Sequence, residues 1–297
     1  MITNAILYNL TAMPPAGFDV LGALQPAAFV PCGPTQALSA GWVPPREANG
    51  PLCEGINGQL ILKLMVESKK VPADIIDRKL QYAIRKIEEL TGRKPGKKER
   101  RELKDEILFE LLPSAFPKRE AIIAWIDPIG RKLVVGTSSQ AKADRVASSL
   151  VGALTGLECT PVHTNTTPAT AMTKWLLGRS QPETLAIEED CELKSDGGTK
   201  VKYIKHNLRI PEVIDHIHTG GMVPSSLDLT WLGRVNFTLT DSLVLKKIDI
   251  LGNLLEGHPE QVDAFDADVV IATTEINGLI ADLIADLDGE ALPVCLP

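Results

Sequence analysis

The chain has 297 residues, 44% of them hydrophobic and 23% charged, with a net charge of −7. That is room for a sizeable core and, by length, about two domains. No apolar run approaches the roughly 18 residues of a membrane span, and aromatics at 4% are too scarce for a surface built mainly of base-stacking platforms.

The opening residues lack a charged segment followed by an apolar one, so no secretory signal is expected. The cysteines (Cys32, Cys53, Cys159, Cys191, Cys295) are odd in number and scattered, with no Cys-x-x-Cys pair. They are expected to be reduced cytoplasmic thiols, neither a disulfide framework nor a zinc site.

In chain order, residues 4–10 and 59–66 read as strands. Between them, the Pro/Gly-rich stretch 30–50 reads as an ordered loop anchored by Trp42 and Val43. The period then turns helical, with Ile76, Leu80, Ala83, Ile84 and Ile87 as an apolar stripe. Gly92 and Pro95 break that helix. A second helix is predicted over 97–112, with Leu103, Ile107 and Leu111 as its stripe, ending at Pro113. Strands follow at 121–126 and 132–137 across a turn at 127–130, then a helix at 140–154 and a strand at 158–163. The helical hairpin therefore interrupts a strand-rich region.

Beyond it lie a helix at 169–177, strands at 184–188, 201–205 and 227–231, and a hairpin of 234–239 with 243–248. A helix, a strand at 268–272 and a last helix at 274–287 complete the order. The fold class is α+β. A β-rich central domain (1–72 and 117–165) carries a helical tip (73–116), and the pattern restarts in a further α+β domain (166–297).

Charge is distributed unevenly. Residues 69–119 hold 15 Lys/Arg and 9 Asp/Glu, about +6, while the rest of the chain is about −13, and no Lys or Arg follows Lys247. A polyanion responds to the local field, so the overall acidity is a poor guide to the partner. On the second helix Lys97, Arg100, Arg101 and Lys104 fall within an arc of about 100°, a row suited to phosphates. The pairs Lys98–Glu102 and Arg101–Asp105 would instead make it a solvated, self-neutralised surface helix. The turn cations Arg93, Lys94, Lys97 and Lys98 meet no acid in sequence before Glu99 and are the stronger candidates for a polyanion contact.

Other constellations are weaker. His216 and His218, two apart on a helix, point about 200° away from each other and do not converge on a metal. Asp263, Asp266 and Asp268 form the one tight acidic cluster that could hold magnesium, which gives the alternative reading of a metal-dependent nuclease. Residues 195–200 (SDGGTK) lack phosphate-loop spacing and read as a hairpin turn. No nucleophile-elbow, kinase or dinucleotide signature appears.

Several segments together resemble the RdgC family of recombination-associated proteins: PCG at 31–33, GWVPP at 41–45, NGQLIL at 57–62, LKDEILFELLPSAF at 103–116, WID at 125–127, DGG at 196–198, the His216–Gly220 segment and FDAD at 265–268. The resemblance implies a protein without enzymatic activity, cofactor or metal that binds double-stranded DNA with little sequence preference, and single-stranded DNA as a further ligand. It implies a homodimer closed into a ring around DNA, associated with the nucleoid, that restrains RecA indirectly through the DNA and has no membrane partner. It makes residues 166–297 the base domain. The family's gate contacts fall on Phe116 and on Lys205-His206, where His206 departs from the family's Gln. Ser114 stands where the family has a basic residue, with Lys118 or Arg119 as the replacement. The DNA-binding set is then Arg93, Lys94, Lys97, Lys98, Arg100, Arg101, Lys104, Lys118 and Arg119.

Overall fold

The protein is described from a computed structural model covering residues 2–251 and 264–291. The first half builds a seven-stranded antiparallel sheet from β1 (Ile6–Ala12), β2 (Leu38–Val43), β3 (Cys53–Ile56), β4 (Gln59–Lys69), β5 (Pro117–Asp127), β6 (Lys132–Val135) and β7 (Glu158–Pro161). The strand order is β2-β4-β5-β6-β1-β7, with β3 beside the start of β4. Asn57 and Gly58 both take positive φ in the two-residue turn between β3 and β4, the left-handed geometry such a hairpin requires. Helix α1 (Val20–Leu24) precedes β2, and the hairpin helices α2 (Ala73–Thr91) and α3 (Lys97–Leu111) lie between β4 and β5.

The second half builds a five-stranded antiparallel sheet in the order β12-β11-β10-β8-β9. Its strands are β8 (Leu185–Lys194), β9 (Lys200–Tyr203), β10 (Val223–Trp231), β11 (Val235–Thr240) and β12 (Leu245–Ile250). Helix α4 (Gln140–Ala153) belongs to the first half, while α5 (Pro168–Leu176), α6 (Pro211–His218) and the long α7 (Ala264–Asp286) belong to the second.

Alternation along the strands assigns each face its layer. On one face of the first sheet Ile6, Tyr8, Leu62, Leu64, Ala124, Ile126, Leu133 and Val135 are buried with Leu24, Trp42 and the Val146 and Leu150 side chains of α4. The alternate residues Leu7, Ile61, Trp125 and Val134 join a second cluster made with the inner face of the second sheet, α5, α6 and α7. Several polar links cross between these layers. Trp125 Nε1 donates to Asn277 Oδ1 at 3.1 Å, and the backbone of Ala5 exchanges hydrogen bonds with Leu245 at 2.8 and 3.0 Å.

Several expectations are corrected. The stretch 30–50, expected as loop, contains β2, because Leu38–Val43 pairs along the far half of β4. Residues 268–272, expected as a strand, lie inside α7. A four-residue apolar run, Val269–Ala272, fits either period, and only the continued burial of Ile276, Leu279, Ile280 and Leu283 decides for a helix. The strand expected at 184–188 runs on to Lys194 because β9 and β10 both pair with its second half. The helix expected between residues 248 and 268 lies mostly outside the described residues. The turn at 195–200 and the helix carrying His216 and His218 are found as expected.

No helix among the described residues is long and apolar enough to cross a membrane. Cys32, Cys53, Cys159 and Cys191 are free thiols. Burial raises the pKa of Cys53 to about 11 and that of Cys191 to about 12, which keeps both protonated and unreactive. Cys295 lies outside the described residues.

Candidate nucleic-acid interface

The basic segment stands on the β4–β5 ribbon, which β2 flanks along the outer half of β4. β4 and β5 pair from Leu60↔Ile126 out to Lys69↔Pro117, and the hairpin closes their ends. By helical rise, α2 is about 28 Å long and α3 about 22 Å. The helices pack mainly on each other, burying Ile76, Ile84 and Ile107 in their seam. Gly92 ends α2 in the left-handed conformation (φ 70°), its N–H donating to Glu88 O. Glu99 then starts α3 by accepting the Gly96 N–H at 2.8 Å. Arg93 donates both arms of its guanidinium to the same carboxylate at 2.8 and 2.7 Å. Those hydrogen bonds from Arg93 and the Gly96 amide pull the Glu99 pKa down to about 2.

The structure therefore sorts the predicted cations. Arg93, expected to be free of acids, is committed to Glu99 and holds the turn. Arg119 is committed to Glu67, a buried carboxylate directly across the ribbon, at 2.6 Å. The other oxygen of Glu67 accepts the Cys32 N–H at 2.7 Å, and the Arg119 guanidinium lies 5.6 Å from the Phe29 ring centroid. Arg119 thus clamps the loop before β2 onto the root of the hairpin. Lys94–Glu88 at 3.7 Å, Lys98–Glu102 at 3.9 Å and Lys104–Asp77 at 3.9 Å are long, exposed pairs. Such pairs are worth little, so these lysines can exchange a carboxylate for a phosphate at small cost. Arg100 donates to the Pro95 carbonyl at 3.1 Å and makes no ion pair among the described residues.

Lys97, Arg101 and Lys118 are exposed and make no ion pair among the described residues. The same is true of Lys70, Arg85 and Lys86, which the sequence reading did not single out. Arg85 and Lys86 stand close in sequence to Glu88 and Glu89, so a charge count there looks neutral. A helical projection of α2 is the signal that finds them, since they face away from the apolar stripe.

The expected dimer contacts lie at separate places. Phe116, between α3 and β5, is 92% exposed. Lys205 and His206 sit on the exposed loop after β9, where Lys205 takes φ 51° and its N–H donates to Asp190 Oδ1 at 2.8 Å. The His206 N–H donates to Glu189 O at 3.1 Å, and its ring lies 5.8 Å from Tyr203. The neighbouring His216 is a structural residue, with Nδ1 2.5 Å from the Tyr203 hydroxyl.

The acidic cluster does not assemble. Asp266 is paired with Arg46, whereas Asp268, two residues on in α7, lines a small cavity of about 90 Å³ with Trp125 and Phe265. Asp263 lies outside the described residues. Among the described residues no group of three His, Cys, Asp or Glu side chains is placed to hold a metal ion.

Comparison with known proteins agrees with the resemblance read from the motifs. A family model described as "Putative exonuclease, RdgC" matches residues 1–290. A recombination-associated protein RdgC of Janthinobacterium sp. (strain Marseille) is 36% identical over 294 residues, covering 97% of this chain and 97% of that protein. The protein of the same name from Herminiimonas arsenicoxydans is 37% identical over 273 residues, 90% of each chain. That of Bordetella pertussis is 35% identical over 259 residues, 85% of this chain and 86% of the relative.

Proposed function

The chain belongs to the RdgC family of recombination-associated proteins, and from that premise we propose that it binds double-stranded DNA without sequence preference as a ring-shaped homodimer. The observation that carries the proposal is the set of cations on the hairpin and its root that make no ion pair among the described residues: Lys97 and Arg101 on α3, Lys118 on β5, and Arg100 beside them. Successive cations four residues apart on a helix are spaced by about 6 Å. They touch phosphates whose positions are the same for every sequence, and each neutralised phosphate releases counterions. The acidic remainder of the chain is repelled by the same polyanion, which orients the hairpin toward it.

In this reading two copies meet at the exposed Phe116 of the tip and at the Lys205-His206 loop, and closure around the duplex adds topological retention. Occupied duplex then restrains RecA without direct contact, and the protein is associated with the nucleoid. The activity proposed is binding without cleavage. The test is affinity for unrelated duplexes across a salt series, where log K is expected to fall with log salt by about 0.9 per phosphate contact. A flat slope would overturn phosphate-driven binding. Retention on circular but not linear duplex is expected of a ring, and equal loss from both would overturn closure. Labelled duplex incubated with magnesium or manganese is expected to stay intact. Release of nucleotides would instead favour the exonuclease of the family description.

A further inference from the structure

The outward face of α2 is not used in that reading. Tyr82 is 72% exposed and lies about 140° around the helix from the centre of the apolar stripe. One turn before it stands Arg78, and one turn after it stand Arg85 and Lys86, all exposed. Arg78 makes only an exposed i,i+4 pair with Asp74 at 3.1 Å, while Arg85 and Lys86 make no ion pair among the described residues. Arg78, Tyr82 and Arg85 line a surface groove of about 630 Å³ together with Asp74, Asp77 and Gln81.

A tyrosine serving only as core would point into the seam with Ile84. A face serving only solubility would not present a bare ring between cations. The combination matches what an unpaired nucleotide needs: a π-surface for the base, with cations about 6 Å to either side along the helix for the flanking phosphates. A stacked duplex offers the phosphates but no base face. We propose that this face of α2 is a stacking site for an unpaired base of single-stranded DNA, with Tyr82 as the platform and Arg78, Arg85 and Lys86 as phosphate contacts. It is distinct from the α3 flank assigned to duplex. The inference rests on the nucleic-acid reading of the hairpin and adds a site and its residues for the single-stranded ligand that the family resemblance implies.

The test compares full-length protein with Tyr82→Ala and Tyr82→Phe, titrated against a single-stranded oligonucleotide carrying 2-aminopurine and against a duplex, with solution mass measured alongside. Tyr82→Ala is expected to lose about 10-fold in single-strand affinity together with the quenching of 2-aminopurine. Tyr82→Phe should keep both, and duplex affinity should change less than about twofold. The double variant Arg85→Ala, Lys86→Ala should lower the single-strand salt slope by about 1.4. Unchanged single-strand binding by Tyr82→Ala, or equal loss for both ligands, would overturn the site. A changed mass of Tyr82→Ala without DNA would assign the face to a second copy of the chain and overturn it as well. If the wild type bound neither ligand, the proposed function itself would fall. Duplex binding that persists while Tyr82→Ala leaves the single strand unaffected would sink this inference alone.

Discussion

The hairpin and the second sheet are both rich in lysine and carboxylate, yet they treat their charges in opposite ways. In the sheet, Lys200 and Lys202 both reach Glu192 at 2.9 Å, Lys247 reaches Asp228 at 3.3 Å, and Lys194 pairs with Asp241. A sheet face sets side chains of several strands side by side, so a cation finds an anion on the next strand, on the strand beyond it or at a strand end. In the hairpin each helix has a single helical neighbour. Cations on the seam's flanks find acids, as Lys79 finds Glu110 at 2.8 Å. Of those facing outward, Arg78 and Lys98 make only exposed i,i+4 pairs, and Arg85, Lys97 and Arg101 make no ion pair among the described residues. Charge composition alone does not make a polyanion site. What matters is whether the architecture lets each charge neutralise itself.

That contrast is open to direct attack. The largest effect should follow from reversing the outward charges. Lys97→Glu, Arg101→Glu and Lys118→Glu together are expected to weaken duplex binding by about 100-fold at low salt and to lower the salt slope by about 2.7. Lys200→Glu with Lys202→Glu should leave duplex affinity within about twofold and instead loosen the β8–β9 edge, read by hydrogen exchange. If the two sets proved interchangeable in DNA binding, the distinction would be void.

A smaller effect should follow from thinning the seam. Ile84→Ala is expected to cost about 2 kcal/mol, seen as faster exchange of α2 and α3 amides while the second sheet keeps its protection. Uniform loss across both regions would mean that the hairpin is not an independent unit of opening.

The gentlest probe is acid. Glu99 and Glu192 each have a pKa drawn down to about 2, by Arg93 and the Gly96 amide in one case and by Lys200 and Lys202 in the other. A carboxylate with a depressed folded pKa contributes stability above its unfolded value of about 4.3 and loses it as pH falls through the folded one. The turn and the sheet edge should therefore loosen together between about pH 4 and pH 2, followed by chemical shifts of the Gly96 and Lys200 amides. In Glu99→Gln the turn's response should vanish while that of the sheet remains.

Much of the candidate interface was legible from sequence as a region and less so residue by residue. The switch of period at Ile76 and the Gly92 and Pro95 breaks marked a basic hairpin between strands. The sequence separation of Glu67 from Arg119 hid the clamp that removes Arg119 from the free set, since only the β4–β5 register sets them opposite. Arg93 looked free because its acid lay six residues on, and the turn folds that distance away. Arg85 and Lys86 were missed because neighbouring acids cancelled them in a linear count.

Sequence by itself determined the family, the α+β order of elements and the place of the basic hairpin, because motifs, turn residues and hydrophobic period are local properties of the chain. Tertiary structure alone decided which cations remain available, that residues 268–272 continue a helix, and that the stretch before β3 supplies a strand to β4. Each of these depends on a partner distant in sequence, and pairing across such distance is set by packing and register, which local patterns do not encode.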